Sequence, residues 1–282
     1  MIYLILAIIC SSCITLVLKI GSKYTENRYA MLTCNYITCV IMAIIFMPKN
    51  TAIFSDVSGR MAMVLGLVNG ILYLVCMSYN QINVVKNGAI LTATFVRLGV
   101  VVPTLLSILF YKEIPSVVQV VGIFLVLIAF VLMGMSGKGN KDIEVKIVLR
   151  DLILLMILGG ITDSMSKVFE QTCSMELADW FLLITFFVAL VICIIVTIYK
   201  HQKIGKKECV VGVAIGIPNY LSTLFLLQSL GKIPAFLAYP TYSVGSILVV
   251  ITVSYILLRE KLDKMQKVSV GFIMLALLFL NM

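Results

Sequence analysis

The stretch at residues 179–199 reads DWFLLITFFVALVICIIVTIY, with no charged side chain from Trp180 to Tyr199. A helix needs about 20 consecutive apolar residues to cross the ~30 Å hydrocarbon core of a bilayer. A transmembrane β-strand would instead alternate apolar and polar residues, which this stretch does not do. The stretch therefore predicts a membrane-spanning helix.

Comparable stretches follow one another along the whole chain. Of its 282 residues, 61% are hydrophobic. Only 12% are charged, roughly half the fraction found in an ordinary soluble protein. The expected fold class is an all-α membrane protein with ten transmembrane helices. The predicted spans are 2–20, 30–47, 61–80, 88–111, 116–135, 148–169, 179–199, 209–230, 234–258 and 265–281.

The basic residues lie in short clusters between the spans, which is typical of a topology signal and not of a nucleic-acid-binding surface. The loops after spans 1, 3, 5, 7 and 9, together with the span ends that border them, carry 16 Lys and Arg, and the alternate loops carry 4. We therefore expect the first set of loops to be cytoplasmic, with both termini on the non-cytoplasmic side of the plasma membrane. The expected surroundings are lipid, with no nucleic acid.

Residues that support enzymatic or metal chemistry are sparse. Cys10 and Cys13 have a metal-like spacing, but no second pair and no His accompany them, so neither a metal nor a cofactor is expected. The single His201 lies in the basic loop 200–208, and no two acids inside spans share a helix face. This pattern disfavours a membrane enzyme.

A shift of 147 residues aligns the two halves of the chain. Five helices would then precede the break and five would follow it. An odd number of helices per copy makes the second copy enter the membrane from the opposite face, so we expect an inverted repeat. The predicted units are a first repeat at 1–137, a basic linker at 138–146 and a second repeat at 147–282. The shift superposes Lys112-Glu113 on Arg259-Glu260, Gln119 on Gln266, Tyr73 on Tyr220 and Thr94 on Thr241.

The matching segments YKEIPSVVQ (111–119) and LREKLDKMQ (258–266) end the fourth and ninth spans with a basic residue and Glu, then place Gln six residues after the Glu. With these motifs, the chain resembles the EamA-type transporters of the drug/metabolite transporter superfamily. The Lys that closes the first span and the Lys that closes the sixth fit as well. The resemblance implies a secondary transporter, monomeric or homodimeric, with a central cavity lined mainly by helices 1, 3, 4, 6, 8 and 9. Residues expected to support helix ends are Glu113, Glu260, Lys19 and Lys167.

Arg97 lies about nine residues into the fourth span, where a charge facing lipid would cost at least ~2.5–3.5 kcal/mol. It should point inward, either to bind an anionic group of a substrate or to hold the bundle together through helix-end carbonyls or a buried acid. Thr94 lies one turn away on the same face.

Polar side chains also follow one face of the third span and its counterpart in the eighth. Asn69 and Tyr73 are four residues apart, and the repeat relates Tyr73 to Tyr220. Such side chains could line a wet cavity or form hydrogen bonds between packed helices. Together with neighbouring polar residues and those beside Pro240, the substrate-binding candidates are Arg97, Thr94, Asn69, Tyr73, Tyr220, Asn219, Thr241 and Tyr242.

Asp163 is the only carboxylate well inside a span. Because it lies four residues before Lys167, it could form an ion pair along the helix, or it could bind substrate or a coupling proton. The first span contains no acid, which disfavours a purely cationic substrate. We expect transport, with export favoured, of an amino acid or another small zwitterionic or anionic solute by alternating access. Drug-like or quaternary amine substrates, and a membrane receptor or channel, are the alternatives.

Overall fold

The computed structural model describes residues 1–21, 24–25, 27–47, 57–87, 89–136, 145–257, 264–280 and 282. These residues contain helices and short connections but no strand. A short 3-10 helix, Met175–Leu177, precedes α8. The α-helices are α1 Ile2–Gly21, α2 Arg28–Phe46, α3 Val57–Asn87, α4 Ala89–Leu98, α5 Val101–Leu109, α6 Val117–Ser136, α7 Val145–Thr172, α8 Ala178–Tyr199, α9 Lys206–Leu230, α10 Ala235–Leu257 and α11 Lys264–Leu280.

Each of the ten spans expected from the sequence contains helix in the described part of the chain, so the all-α, multi-pass expectation is confirmed. Six helical segments there are long and apolar enough to cross a membrane: Arg28–Phe46, Ser58–Asn80, Arg150–Thr172, Met175–Tyr199, Lys206–Leu230 and Ala235–Ile256. The other apolar segments are shorter: Ile2–Leu18, Phe95–Leu109, Val117–Leu132 and Lys267–Leu280.

The fourth expected span differs from a simple helix, because it is divided into α4 and α5. Pro103 explains the break, since it has no N–H to donate to the Gly99 carbonyl four residues earlier. That carbonyl instead accepts a tighter bond from the amide of Val102, at 3.0 Å. Pro103 then lies in the first turn of α5, where the missing donor costs little.

The described residues group into two compact units, and α3 and α7 contribute to both. The first unit comprises Met1–Leu74 and Val168–Lys232, and the second comprises Val75–Lys167 and Ile233–Met282. These units group helices by packing, whereas the expected repeats at 1–137 and 147–282 group them by sequence, so the repeat boundaries stay a prediction. Of the linker 138–146, only residues 145–146 are described.

In the first unit, α9 packs against α1 and α2, and α2 also packs against α8. Glycines allow the close approach of α9 to α2. A Cβ added to Gly212 would lie 2.5 Å from the Cβ of Cys34, and one added to Gly216 would lie 2.5 Å from the Cβ of Thr38. This α2–α9 seam, defined by Cys34, Thr38, Gly212 and Gly216, leaves no room for larger side chains on α9.

In the second unit, α6 packs against α11 and α4, and α10 packs against α5. The break between α4 and α5 lies against α7. A Cβ added to Gly160 of α7 would lie 2.5 Å from the carbonyl oxygen of Gly99. The two glycines therefore bring backbone against backbone where the fourth span is interrupted.

Candidate functional site

Arg97 lies near the C-terminal end of α4, in the second unit, and its side chain is half-buried. Its guanidinium carbon is 5.8 Å from the centroid of the Tyr242 ring on α10, within the range of a cation–π contact. The guanidinium also attracts the carboxylate of Asp163 on α7 electrostatically. One strong cation, one acid and one aromatic ring thus interact across three helices.

Asp163 keeps exposed surface in the structure although it belongs to an apolar helix. The Tyr239 hydroxyl of α10 donates a 2.7 Å hydrogen bond to the backbone carbonyl of Asp163. Tyr239 is itself almost completely buried. The helix position that carries the carboxylate is therefore held by α10.

Lys167 makes an ion pair with a different acid from the one four residues before it. Its Nζ lies 2.8 Å from Oε1 of Glu113, and only 2% of the Lys167 side chain and 16% of the Glu113 side chain are exposed. The Tyr111 ring centroid is 5.5 Å from the same Nζ. The sequence left open whether Asp163 and Lys167 pair along α7, and the structure connects Asp163 with Arg97 and Lys167 with Glu113.

Glu113 lies in the connection between α5 and α6. Its Oε2 accepts a 3.2 Å hydrogen bond from the backbone N–H of Phe236, in the first turn of α10. A carboxylate there satisfies an amide that has no partner inside its own helix, and it interacts favourably with the positive end of the helix dipole. Lys112, just before Glu113, has a positive φ of 54°, which turns the chain at this point.

A second set of polar residues lies in the first unit. Tyr73 Oη donates a 2.7 Å hydrogen bond to Asn219 Oδ1, and Asn219 Nδ2 donates to Asn35 Oδ1 at 3.3 Å. Asn219 and Asn35 are buried, whereas Tyr73 is half-buried. The chain Tyr73–Asn219–Asn35 links α3, α9 and α2. The Tyr73 ring packs edge-on against Phe186, with centroids 5.6 Å apart.

Asn69 and Tyr220 are more deeply enclosed. The amide of Asn69 donates to the Thr185 hydroxyl of α8 at 3.3 Å, and Asn69 is 3% exposed. Tyr220 has no exposed surface, and its hydroxyl donates to Asp179 Oδ1 at 3.4 Å. Both side chains make hydrogen bonds between packed helices, which is the second of the two interpretations that the sequence left open.

The remaining candidates are Thr241, Thr94, Lys19 and Glu260. Thr241 is buried, and its hydroxyl has no hydrogen-bond partner in the part of the chain that the structure describes. Lys19 lies in α1 and Thr94 lies in α4, but the structure does not describe their side chains. Glu260 lies outside the described residues. Among the residues described, no group of three or more His, Cys, Asp or Glu could hold a metal ion.

Three residues of these contacts were not among the candidates expected from the sequence: Asn35, Asp179 and Tyr239. Asn35 lies in α2 close to Thr33 and Thr38, and this group of polar side chains in an apolar span could have drawn attention to it. Asp179 begins α8 and resembles an ordinary acid of a first helical turn. Tyr239 could have been singled out, because it flanks Pro240 on the side opposite Tyr242, although no sequence pattern connects it with Asp163.

Residues 152–282 match the sequence model of the EamA-like transporter family. The second half of the chain is thus similar to EamA-like transporters. This match confirms the resemblance inferred from the basic-Glu motifs, one of which lies inside the matched residues. This similarity indicates a membrane transporter of the drug/metabolite transporter superfamily, whose members are transporters and not enzymes.

Solved structures of other proteins share the fold of this chain. One of them, described as a crystal structure of a protein, superposes with a TM-score of 0.74 and 13% sequence identity. The superposition covers 99% of this chain and 96% of the other. No curated protein sequence matches the chain. The shared fold therefore carries no information on the substrate.

Proposed function

We propose that this transporter moves a small zwitterionic or anionic metabolite, such as an amino acid, across the plasma membrane by alternating access. The observation that carries the proposal is the position of Arg97 and Asp163 beside the same stretch of α10: the Arg97 guanidinium lies over the Tyr242 ring, and the Asp163 carbonyl accepts a hydrogen bond from Tyr239. Both residues keep exposed surface. Charges inside apolar spans are costly unless they face protein or water. A pair that is not sealed by packing can exchange its mutual attraction for the charges of a solute.

Arg97 is the binding group for a carboxylate. A guanidinium can donate two parallel hydrogen bonds to one carboxylate, which combines charge with orientation. The Tyr242 ring, 5.8 Å from the guanidinium carbon, favours the cation and limits where the planar group can lie. The Asp163 carboxylate then binds the ammonium group of a zwitterion, or it takes up a proton when the solute is a simple anion.

Tyr73 is the binding residue of the first unit. It is the half-buried end of the chain Tyr73–Asn219–Asn35, so its hydroxyl is held in a defined orientation by groups that are buried behind it. Pre-organised polar groups of this kind lower the ordering cost of binding a polar solute. Asn219 positions Tyr73 and does not itself need to touch the solute.

The inverted repeat is supported by which helices pack together. In the second unit α6 packs against α11 and α5 against α10, and in the first unit α2 packs against α8. These are the fifth and tenth, fourth and ninth, and second and seventh spans, each pair related by the shift of 147 residues. We propose that the basic loops are cytoplasmic, that both termini are external and that the physiological direction is export.

The test is uptake into liposomes that contain the purified protein. The solutes are labelled amino acids, small dicarboxylates and a quaternary amine, each measured with and without a pH gradient. We expect transport of an amino acid or an anion, a loss of at least tenfold in Arg97→Ala, and no change in Arg60→Ala, which replaces an exposed arginine of α3. Full transport by Arg97→Ala would contradict the anion site. Transport of the quaternary amine alone would establish the cationic alternative.

The identity of the solute can be approached without a label. A thermal-shift screen of several hundred metabolites reports binding directly, because a ligand that binds only the folded protein raises its melting temperature by mass action. We expect stabilising compounds to share a carboxylate and to lose their effect in Arg97→Ala. Stabilisation of both proteins by the same compounds would place the binding site elsewhere.

A further inference from the structure

Two thiols meet at the α2–α9 seam of the first unit. The Sγ of Cys34, on α2, lies 3.4 Å from the Sγ of Cys209, in the opening turns of α9. Both cysteines are free, Cys34 is buried and Cys209 is half-buried. The resemblance to transporters and the substrate proposal assign no role to either residue.

The backbones of α2 and α9 approach each other closely beside this pair. Gly212 lies one turn after Cys209, and a Cβ placed on it would be 2.5 Å from the Cβ of Cys34 and 2.6 Å from the Met31 carbonyl oxygen. A disulfide requires Cα atoms about 4.4–6.8 Å apart and a sulfur–sulfur bond of about 2.05 Å. The sulfur atoms therefore have to approach by roughly 1.4 Å, a distance that small side-chain rotations can supply.

We propose that Cys34 and Cys209 form a modification site at which a peroxide converts the two thiols into a disulfide that joins α2 to α9. The more accessible Cys209 sulfur attacks one peroxide oxygen, the O–O bond breaks, and the products are a sulfenic acid on Cys209 and water. The Cys34 sulfur then attacks the Cys209 sulfur. The S–S bond forms as the S–O bond of the sulfenic acid breaks. The departing hydroxide takes the Cys34 proton and becomes a second water. Two thiols are oxidised and one peroxide is reduced.

Neighbouring thiols have other partners. Cys193, on α8, accepts a hydrogen bond from the Thr33 hydroxyl at 3.4 Å. Cys39 donates to the Gly216 carbonyl at 3.4 Å and is completely buried. Cys193 and Cys39 also lie in the first unit. Variants of these two residues are matched controls, because they are thiols like the pair but lack its sulfur–sulfur contact.

The test uses the full-length protein in detergent and in liposomes, treated with hydrogen peroxide and then with an alkylating agent. Trypsin releases Cys209 as its own peptide, 208–232, whereas peptide 29–49 contains both Cys34 and Cys39. We expect mass spectrometry to find these two peptides linked in the parent, in Cys39→Ser and in Cys193→Ser. The link should be absent from Cys34→Ser and Cys209→Ser and should disappear on reduction.

A second readout is independent of the peptides. Because a cross-link between residues 34 and 209 restricts the unfolded chain, peroxide should raise the melting temperature of the parent and of Cys193→Ser. It should not raise that of Cys209→Ser. Oxidation of the thiols to sulfinic acids without any linked peptide would overturn the proposal, and so would a link from Cys209 to Cys193.

Discussion

The ammonium group of Lys167 lies 2.8 Å from Oε1 of Glu113, and the other carboxylate oxygen of Glu113 accepts the amide proton of Phe236. One acid thus binds the last turns of α7 and the first turn of α10 at once. With Lys167 only 2% exposed, removal of the acid would leave a buried cation without this partner. The pair is consequently expected to matter for the stability of the second unit.

Glu113→Ala should therefore lower the melting temperature substantially. Breaking a buried ion pair by removing one partner typically costs about 3–5 kcal/mol. Glu176→Gln, which alters an exposed acid before α8, is the matched control and should have little effect. The double variant Glu113→Ala, Lys167→Met should recover part of the loss, because it also removes the buried cation that Glu113 neutralises. Equal melting temperatures for Glu113→Ala and the parent would show that the pair contributes nothing.

Gly160 and Gly271 should respond to alanine with opposite signs. At Gly160 the added methyl group would lie 2.5 Å from the Gly99 carbonyl oxygen, which is backbone and cannot rotate away. Overpacking of this kind costs about 1–3 kcal/mol. At Gly271 nothing lies within 4 Å of the added carbon, so Gly271→Ala should stabilise α11 by about 0.5–1 kcal/mol. Thermal unfolding of the two variants measures both, and a stabilised Gly160→Ala would contradict the close approach.

His201 is expected to be replaceable by glycine with a gain in stability. It ends α8 in a left-handed conformation, with a φ of 51°. The amide of Gln202 donates to the Thr197 carbonyl at 3.0 Å, and that of His201 donates to the Ile198 carbonyl at 2.9 Å. This is the Schellman arrangement, in which glycine avoids a steric cost of about 1–2 kcal/mol. His201→Gly should raise the melting temperature, whereas His201→Val should lower it.

Tyr73 and Asn219 should show energetic coupling. Tyr73→Phe removes the 2.7 Å hydrogen bond and leaves the Asn219 carbonyl oxygen without that donor in a buried site. A hydrogen bond of this kind contributes about 0.5–1.5 kcal/mol, and a double-mutant cycle with Asn219→Ala isolates it. Tyr255→Phe, at an exposed position of α10, is the control. Additive effects of Tyr73→Phe and Asn219→Ala would mean that the two residues do not interact.

Much of the architecture could be predicted from the chain alone, because hydropathy acts locally. A span such as 179–199 must be helical in lipid whatever surrounds it, since no water is present to bond its backbone. The hydropathy pattern did not, however, indicate that the fourth span is divided into α4 and α5. Pro103 lies in that span, but the position of the break depends on which carbonyl finds another donor and on the Gly160 backbone that packs there.

The sequence by itself determined that this chain is a multi-pass helical membrane protein of the EamA type, and it singled out the few charges inside its spans. Only the tertiary structure decided how those charges pair. Asp163 and Lys167 are one turn apart on α7, yet Lys167 binds Glu113 and Asp163 interacts with Arg97. The physical reason is that Coulomb attraction depends on the distance between two charges in space and not on their separation along the chain. The residues closest to one face of a helix belong to the other helices that pack against it.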